Sequence, residues 1–527
     1  MSLRASRKLL VSAVLLLAAA GCTDLTVAPE STVTTANIFK DPNSYKEYLA
    51  KLYAGLQATG SVGPYGNRDI QSITDEGFSG YLRLYWQMEE LPTEEAIIGW
   101  GDAALQELNT QVWGSSNQFL GGMYARVFFQ VSLANEFLRQ TTDAQLASRG
   151  VSGQLAADIK QYRAEARFLR ALAYWNGIDL FGDIPLVKED LVPGSPPPKQ
   201  ASRAEIFQFI ESELNEIKPD LPAPGAATYG RASSVAADML LAELYLNAKV
   251  YTGTDRSADA RLAAERVIAS GAYSLDPTYQ NMFLADNNKS PEIIFAIPSD
   301  GLHQQSYGGM TTIVHASVGG NMNPSAYGLN GGWWGLRTRP EFVALFAGTG
   351  SADARSAPLF TDGQNLDVAS IGNFNDGYAL PKYRNVTSTG QAGSSKEFVD
   401  VDFPMFRLAD AYLIYAEAVL RGGGGDMATA VQYVNLLRQR AYGNTSGNIT
   451  AADLTLDFIL AERGRELYWE AHRRTDLIRF DKFTTNGVWQ WKGNVHDGRT
   501  TDAKFNLYPL PAAELLANPN LHQNAGY

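Results

Sequence analysis

The apolar positions of this chain recur at three- and four-residue steps over several long stretches, which is the spacing of amphipathic α-helices. One stretch covers residues 161–181, and its spaced apolar positions are Ala166, Leu169, Ala173 and Leu180. The same pattern predicts further helices over residues 41–56, 203–217, 233–248, 406–420, 427–440 and 454–472. We therefore expect a mostly α-helical protein.

Several predicted helices follow one another in pairs, with small residues where two helices would cross. The pair at 203–217 and 233–248 is separated by a proline- and glycine-containing break at 219–230. Paired helices of this kind are typical of tetratricopeptide-like hairpins, which must stack to bury their apolar faces. The irregular spacing of the units favours interrupted hairpins within a single compact body over a regular solenoid.

The helical pattern stops over residues 297–404, which are rich in glycine, asparagine, serine and aromatic residues. A segment of about a hundred residues with little regular structure is uncommon in a compact domain unless it has a function. We therefore interpret residues 41–296 and 405–527 as a helical scaffold with a C-terminal tail. Residues 297–404 are expected to form a loop-rich, ligand-binding insert.

The N-terminus carries the pattern of a secretory leader. Arg4, Arg7 and Lys8 precede a run of small or apolar residues at 9–20, which is too short to cross a bilayer and ends just before Cys22. We expect residues 1–21 to be a signal peptide and 22–40 a polar tether attached to lipid through Cys22. A soluble signal peptide cleaved near residue 20 is the alternative.

Composition and charge exclude some classes of function. Cys22 is the one cysteine of the 527 residues, so the exported chain would depend on core packing rather than disulfides. The net charge is −12, and removal of the three basic leader residues leaves −15. This acidic balance argues against a nucleic-acid partner, which requires clustered lysine and arginine.

Sequence segments along almost the whole chain resemble one known family. They include EARFLRALAYWNGIDLFGDIPLV at 165–187, RAEIFQFIESELNEIKPDLP at 203–222, FPMFRLADAYLIYAEAVL at 403–420, ERGRELYWEAHRRTDLIRF at 462–480 and YPLPAAELLANPNLHQNAGY at 508–527. These segments are similar to those of the SusD/RagB-like outer-membrane lipoproteins and occur in the family's order. The resemblance departs at Ala525, where the family usually has proline.

The resemblance implies a fold and a function. It implies four tetratricopeptide-like units and a lipid-anchored position in the outer membrane, facing the extracellular side. It also implies that the protein binds an oligosaccharide, or less often a peptide, and delivers it to a SusC-like TonB-dependent transporter. No catalytic activity and no cofactor are expected on this basis.

Aromatic and polar residues outside the helical pattern supply the candidate ligand site. Sugar rings stack their C–H faces on tryptophan and tyrosine, while their hydroxyl groups need polar partners. Residues 99–118 and 303–339 combine both kinds of side chain. The candidates are Trp100, Asp102, Trp113, Tyr307, Asn323, Tyr327, Trp333, Trp334 and Arg337, with Asn117, Asn321 and Asn330 nearby. Packing of Trp113 under a loop is the alternative for that residue, and we expect one of Trp333 and Trp334 to be buried.

A surface glycosidase is the main alternative function. Glu462, Glu466 and Glu470 are spaced four residues apart, so on one helix they would lie side by side rather than face each other across a cleft. We therefore predict a structural charge network, including an ion pair between Glu470 and Arg474. Five scattered histidines and one cysteine predict no metal site.

Overall fold

The helical stretches of the sequence form seventeen α-helices and six short β-strands within the described residues. The computed structural model describes residues 38–60, 64, 68–70, 72–73, 75–191, 194–349 and 352–527. The predicted leader, Cys22 and the tether up to residue 37 lie outside these residues. Residues 48–527 form one compact unit, and the described part of the other unit, 38–47, contains the start of the first helix.

The helices occupy both ends of the chain and are sparse between residues 297 and 404. Those before the predicted insert are α1 (Ser44–Ala54), α2 (Tyr81–Glu90), α3 (Ala103–Thr110), α4 (Gln118–Gln140), α5 (Asp143–Ser148), α6 (Gly153–Phe181), α7 (Arg203–Ile217), α8 (Ser234–Leu246), α9 (Ala248–Thr252) and α10 (Ser257–Ala269). The insert contains α11 (Gly309–Ala316) and α12 (Pro340–Ala344). The helices after it are α13 (Leu408–Leu420), α14 (Met427–Tyr442), α15 (Leu456–Leu467), α16 (Arg473–Arg479) and α17 (Ala512–Ala517).

The remaining regular structure is short. The strands are β1 (Ile97–Ile98), β2 (Ile184–Pro185), β3 (Gln200–Ala201), β4 (Ile293–Ile297), β5 (Leu336–Arg337) and β6 (Phe403–Arg407). Single 3-10 turns are found at Lys218–Asp220, Tyr279–Phe283, Asn287–Lys289, Pro324–Tyr327, Ala354–Ser356, Thr445–Gly447, Lys492–Asn494 and Ala503–Asn506. The prediction of a mostly helical fold is confirmed.

Helix-on-helix packing builds the scaffold. Helix α6 packs between α4 and α7, while α10 packs between α8 and α13, which in turn contacts α14 and α15. Polar caps fix several of the helix starts. The Asn117 side chain accepts hydrogen bonds from two backbone N–H groups of α4, and Ser202 forms a reciprocal capping box with Glu205 at the start of α7. None of the described helices combines the length and the apolar content needed to cross a lipid bilayer.

The predicted insert leaves and re-enters the scaffold at one place. Strands β4 and β6 lie at its two borders and pair antiparallel, with Ile297 opposite Phe403. All residues of both strands are buried. The long loop between them therefore begins and ends at adjacent points of the core.

The predicted glutamate stripe is a buried ion-pair network. Glu462 contacts Arg355, Arg438 and Arg465, Glu466 contacts Arg355, Arg407 and Arg440, and Glu470 contacts Lys382 and Arg407. Burial of Glu462 opposes its ionisation, but the surrounding guanidinium groups outweigh burial and lower its pKa to about 2. These three carboxylates therefore neutralise cations inside the core, as the sequence predicted.

One detail of that prediction is wrong, because the helix does not continue through residues 468–472. Trp469 and Ala471 both have a φ of 62°, in the left-handed region that breaks an α-helix. The backbone N–H groups of these two residues donate to the buried carboxylates of Glu95 and Glu90, at 3.0 and 2.7 Å. Arg474 lies beyond the break and forms ion pairs with Glu89 and Asp179 instead of Glu470.

Candidate functional site

A two-residue ladder joins the two segments that the sequence singled out. Strand β1 pairs antiparallel with β5, with Ile97 opposite Arg337 and Ile98 opposite Leu336. The ladder is extended by a hydrogen bond of 2.9 Å from Gly99 N–H to the carbonyl oxygen of Gly335. The residues just beyond each strand are therefore neighbours, although they are far apart in sequence.

Three aromatic rings meet beside this ladder. The ring centroid of Trp333 lies 6.4 Å from that of Trp100 and 6.2 Å from that of Tyr307. The ring planes are tilted by 45° and 50°, and all three residues are partly exposed. We call Trp100, Tyr307 and Trp333 the three-ring platform.

Each ring of the platform is held by the residues behind it. The Nε1 group of Trp100 donates to the carbonyl oxygen of Trp333 at 3.0 Å. The Trp333 ring stacks on the buried imidazole of His315, with centroids 4.6 Å apart and planes 22° from parallel. The Tyr307 hydroxyl donates to the carboxylate of Glu397. The rings are thus oriented before any ligand arrives.

Arg83 on helix α2 lies beneath the platform and was missed by sequence reasoning. The carbon at the centre of its guanidinium is 3.8 Å from the ring centroid of Phe78 and 5.6 Å from that of Trp100. Burial lowers the pKa of Arg83 to about 9, against the opposing effect of nearby Asp75, Asp102 and Glu76. Arg83 lies on a helix whose residues are all buried, and nothing in its sequence spacing separates it from scaffold arginines.

Two Arg83 nitrogens remain without a hydrogen-bond partner among the described residues. They are Nε and Nη2, whereas Nη1 donates to the carbonyl oxygen of Gly77 at 2.9 Å. Gly77 also lies directly against Tyr307, because a Cβ added to it would be 3.0 Å from the tyrosine Cβ. Arg83 therefore lies against the ring of Trp100 and also hydrogen-bonds Gly77, the residue that packs against Tyr307.

Asp102 and Asn323 contribute exposed polar groups at different places. Asp102 is exposed two residues after Trp100 and precedes helix α3, without capping it through its side chain. Asn323 is also exposed, but its side chain accepts a hydrogen bond from Ser325 N–H and starts the Pro324–Tyr327 turn. Asp102 is thus beside the platform, while the side chain of Asn323 stabilises its own turn.

Trp113 and Arg337 point into the protein rather than towards a ligand. Trp113 is 4% exposed, and its Nε1 group donates to the hydroxyl of Tyr527 at 2.8 Å. Arg337 is fully buried, where it donates to the carbonyl oxygens of Gly335, Ile371, Asn373 and Asp376. Their expected place on a ligand surface is corrected: Trp113 packs against Phe505, Tyr508 and Tyr527, while Arg337 holds the loops around residues 371–376 from inside.

Tyr327 is also displaced from the platform. It is buried and lies under Arg384, whose guanidinium carbon is 5.0 Å from the tyrosine ring centroid. Both residues line a cavity of about 360 Å³ whose lining includes none of the platform rings. The structure therefore separates Tyr327 from the other tyrosine that the sequence proposed.

Trp333 and Trp334 point in different directions, and one of the two is exposed as expected, but the other is not buried. Trp333 faces His315, whereas Trp334 contacts Phe374, with ring centroids 5.8 Å apart. Trp334 is 54% exposed, so it is the exposed member of the pair. Trp333 is only partly buried, because its ring takes part in the platform.

One cluster among the described residues has donor atoms close enough together for a metal ion. Glu243, Asp410 and His472 are all buried and each offers a ligand atom within 4.8 Å of the others. The guanidinium of Arg463 is 2.8 Å from Asp410 and 4.0 Å from Glu243, so a positive charge is already present there. Burial raises the pKa of Glu243 well above its usual value, and the neighbouring carboxylate of Asp410 raises it further.

Comparisons of the sequence and of the fold with known proteins point to the same group of proteins. Residues 357–527 match the model of the SusD family. The chain is 34% identical to the starch-binding protein SusD of Bacteroides thetaiotaomicron, over 91% of each chain. The fold is similar to surface glycan-binding protein A of Bacteroides fluxus, with a TM-score of 0.70, 24% identity and coverage of 92% and 99% of the two chains. Surface glycan-binding protein A of B. thetaiotaomicron, solved with laminarihexaose, has a TM-score of 0.69, 20% identity and coverage of 91% and 98%.

Proposed function

Because the chain belongs to the SusD family, we propose that it binds a starch-type glycan, an α-glucan, on the three-ring platform. The relative at 34% identity is named for starch binding, which supports this choice of ligand class. The named relatives are binding proteins, and this chain is a binding protein of the same family rather than an enzyme.

The observation that carries the proposal is the meeting of Trp100, Tyr307 and Trp333 from distant parts of the sequence. The centroid of the Trp333 ring lies 6.4 Å from that of Trp100 and 6.2 Å from that of Tyr307, so the three partly exposed rings offer apolar surfaces for the C–H faces of neighbouring sugar units. Because the ring planes are tilted by 45° and 50°, the three rings do not form one flat surface.

Polar groups beside the rings supply partners for sugar hydroxyls. Asp102 is exposed near Trp100, and Glu397 accepts from the hydroxyl of Tyr307. A carboxylate oxygen has several acceptor positions, so Glu397 can bind a sugar hydroxyl while it holds the tyrosine. The rings would then provide most of the contact area, and the acids would select the position of the hydroxyls.

We further propose that the mature protein is lipid-anchored through Cys22 in the outer membrane and faces the extracellular side. The basic leader, the short apolar run and the cysteine that follows support this location. In this setting the protein would deliver its glycan to a SusC-like TonB-dependent transporter. Radiolabelled palmitate incorporation that is lost in Cys22→Ser would test the anchor, and co-purification from outer membranes would test the partner.

Calorimetry with maltoheptaose tests the ligand proposal. We expect the purified mature chain to bind this α-glucan, and Trp100→Ala and Trp333→Ala each to weaken binding by about tenfold or more, since one aromatic contact contributes on the order of 1–2 kcal/mol. Val488→Ala, which removes an exposed apolar side chain outside the platform, should leave the affinity unchanged. Absence of binding, or wild-type affinity in both tryptophan variants, would overturn the proposal. Binding of laminarihexaose but not maltoheptaose would reject the starch class.

A further inference from the structure

Trp334 is a large aromatic side chain that the platform does not use. It is 54% exposed, whereas other tryptophans such as Trp86 and Trp469 are buried. Exposure of so much indole surface has a free-energy cost, since an apolar ring gains from leaving water. This exposure leaves one side of the indole open to a ligand.

The backbone at Trp334 is also strained. Its φ is 55°, a left-handed conformation that a bulky residue adopts only when its surroundings impose it. Three successive backbone N–H groups impose it here by binding the end of helix α11. Trp333 donates to His315, Trp334 to Val318 and Gly335 to Ala316, at 2.8, 3.1 and 2.9 Å. This geometry turns Trp334 away from the ring of Trp333.

The inner side of Trp334 is fixed while the outer side stays open. Its ring lies against the buried ring of Phe374, 5.8 Å between centroids. Gly319 makes this contact sterically feasible. A Cβ added to Gly319 would come within 2.8 Å of Phe374 Cε1 and 2.9 Å of Trp334 Cγ. The indole is thus supported from below and presented to solvent.

Exposed carboxamides lie close in sequence to both residues that support this ring, since Asn321 is two positions after Gly319 and Asn375 follows Phe374. Asn321 and Asn375 are both exposed, and the Asn375 oxygen lies beside Gly320, at 3.0 Å from the position of an added Cβ. The Asn321 amide nitrogen is 3.5 Å from a carboxylate oxygen of exposed Asp362. An exposed apolar ring with carboxamide and carboxylate groups on the neighbouring segments offers both kinds of partner that a sugar needs, because a sugar has apolar faces and an equatorial rim of hydroxyls.

We propose that Trp334, Asn321 and Asn375 form a second glycan contact, the outer patch, separate from the three-ring platform. Because Trp333 rests on His315 and Trp334 on Phe374, one sugar unit does not stack on both indoles. A long or branched glycan held on the platform reaches the outer patch with a second segment. The second contact is then intramolecular and raises the affinity for polymers far more than for short oligosaccharides. This inference rests on the proposed function.

A comparison of a short and a long α-glucan tests the outer patch. The probes are maltotriose, whose three sugar units match the three rings of the platform, and soluble glycogen. We expect Trp334→Asn to weaken glycogen binding by about tenfold, since a second linked contact contributes at least this factor, and to leave maltotriose binding within about twofold. Asparagine tolerates a positive φ, so this variant removes the ring without adding backbone strain. Trp100→Ala should weaken both probes.

Leu302→Ala, at a residue that is 57% exposed, is the control for the loss of an exposed apolar side chain and should change neither affinity. Unchanged glycogen binding in Trp334→Asn would overturn the outer patch while the proposed function stands. Equal weakening of both probes would also overturn it, because Trp334 would then belong to the platform. A wild-type chain that binds neither probe would refute the proposed function itself. Thermal unfolding of each variant verifies that the folded protein is compared.

Discussion

The indole Nε1 of Trp100 donates a hydrogen bond of 3.0 Å to the backbone carbonyl oxygen of Trp333, which is 233 positions away in the sequence. The bond fixes one platform ring against the segment that carries another. Trp100→Phe keeps an apolar ring but removes this bond. We expect glycan affinity to fall about fivefold, in line with the roughly 1 kcal/mol of an average hydrogen bond, and less than in Trp100→Ala. Calorimetry on wild type, Trp100→Phe and Trp100→Ala measures their glycan affinities, which should fall in that order. Equal affinities of Trp100→Phe and wild type would contradict a role for the hydrogen bond.

Gly335 controls the position of Trp100 without touching a ligand. A Cβ at this position would lie 2.8 to 2.9 Å from three atoms of the Trp100 indole, so Gly335→Ala must displace the ring. We expect a loss of glycan affinity of about tenfold, comparable to removal of one aromatic contact. Gly331→Ala is the matched control, because an added Cβ there meets nothing within 4 Å. If both alanine variants bind equally well, the position of the Trp100 ring does not matter for binding.

Arg407 is a buried cation with three carboxylate partners, Glu292, Glu466 and Glu470. Arg407→Ala leaves these acids without their shared partner, and removal of one member of a buried ion pair costs about 3–5 kcal/mol. We expect a loss of this size in the free energy of unfolding, measured by urea denaturation.

Arg256 provides the comparison for Arg407. It also forms two ion pairs, with Glu211 and Asp259, but its side chain is 30% exposed. Exposed pairs contribute about 0–1 kcal/mol, so Arg256→Ala should be nearly neutral. Similar losses in the two variants would show that burial does not set the strength of these interactions.

The raised pKa of Asp402 should make the free energy of unfolding depend on pH. Burial, with further repulsion from Asp400 and Asp300, raises its pKa from 3.8 to about 6, although the hydroxyl of Tyr229 donates to it. Between about pH 4 and pH 6 the folded protein therefore binds more protons at this carboxyl than the unfolded chain. Its stabilising contribution is complete below about pH 4 and is lost as the pH rises through about 6.

In Asp402→Asn this titration is absent. The difference in unfolding free energy between wild type and variant should therefore change by about 2–3 kcal/mol across this interval, in favour of the variant at higher pH. Urea denaturation at a series of pH values measures it. A difference that does not vary with pH would contradict the raised pKa.

Helices whose ends carry local signals were predictable from sequence. The predicted helix 203–217 matches α7, which begins at the Ser202 capping box, and 427–440 is close to α14. The break after α15 was not predictable, because the left-handed residues Trp469 and Ala471 depend on Glu95 and Glu90, more than 370 positions away. Local periodicity contains no information about such partners.

The candidate site was also predictable only in part, because some of its features depend on residues distant in sequence. Trp100, Tyr307 and Trp333 were proposed from their setting in irregular segments, and the structure brings them together. Trp113 has a similar sequence setting but is buried against the C-terminal Tyr527. Whether a tryptophan in a loop points outward depends on residues that pack behind it, and these come from elsewhere in the chain.

The ladder of β1 and β5 has a consequence for how the ligand preference of this protein can change. Its register holds Ile98 opposite Leu336, and this alignment sets the positions of Trp100, two residues after Ile98, and Trp333, three residues before Leu336. A slip by one residue would reverse the side-chain directions and turn an indole inward. Loops beyond the ladder can instead gain, lose or exchange residues while the alignment stays intact. The ligand preference of the protein can therefore change by exchange of these loops, while the β1–β5 pairing and the helices beneath it stay the same.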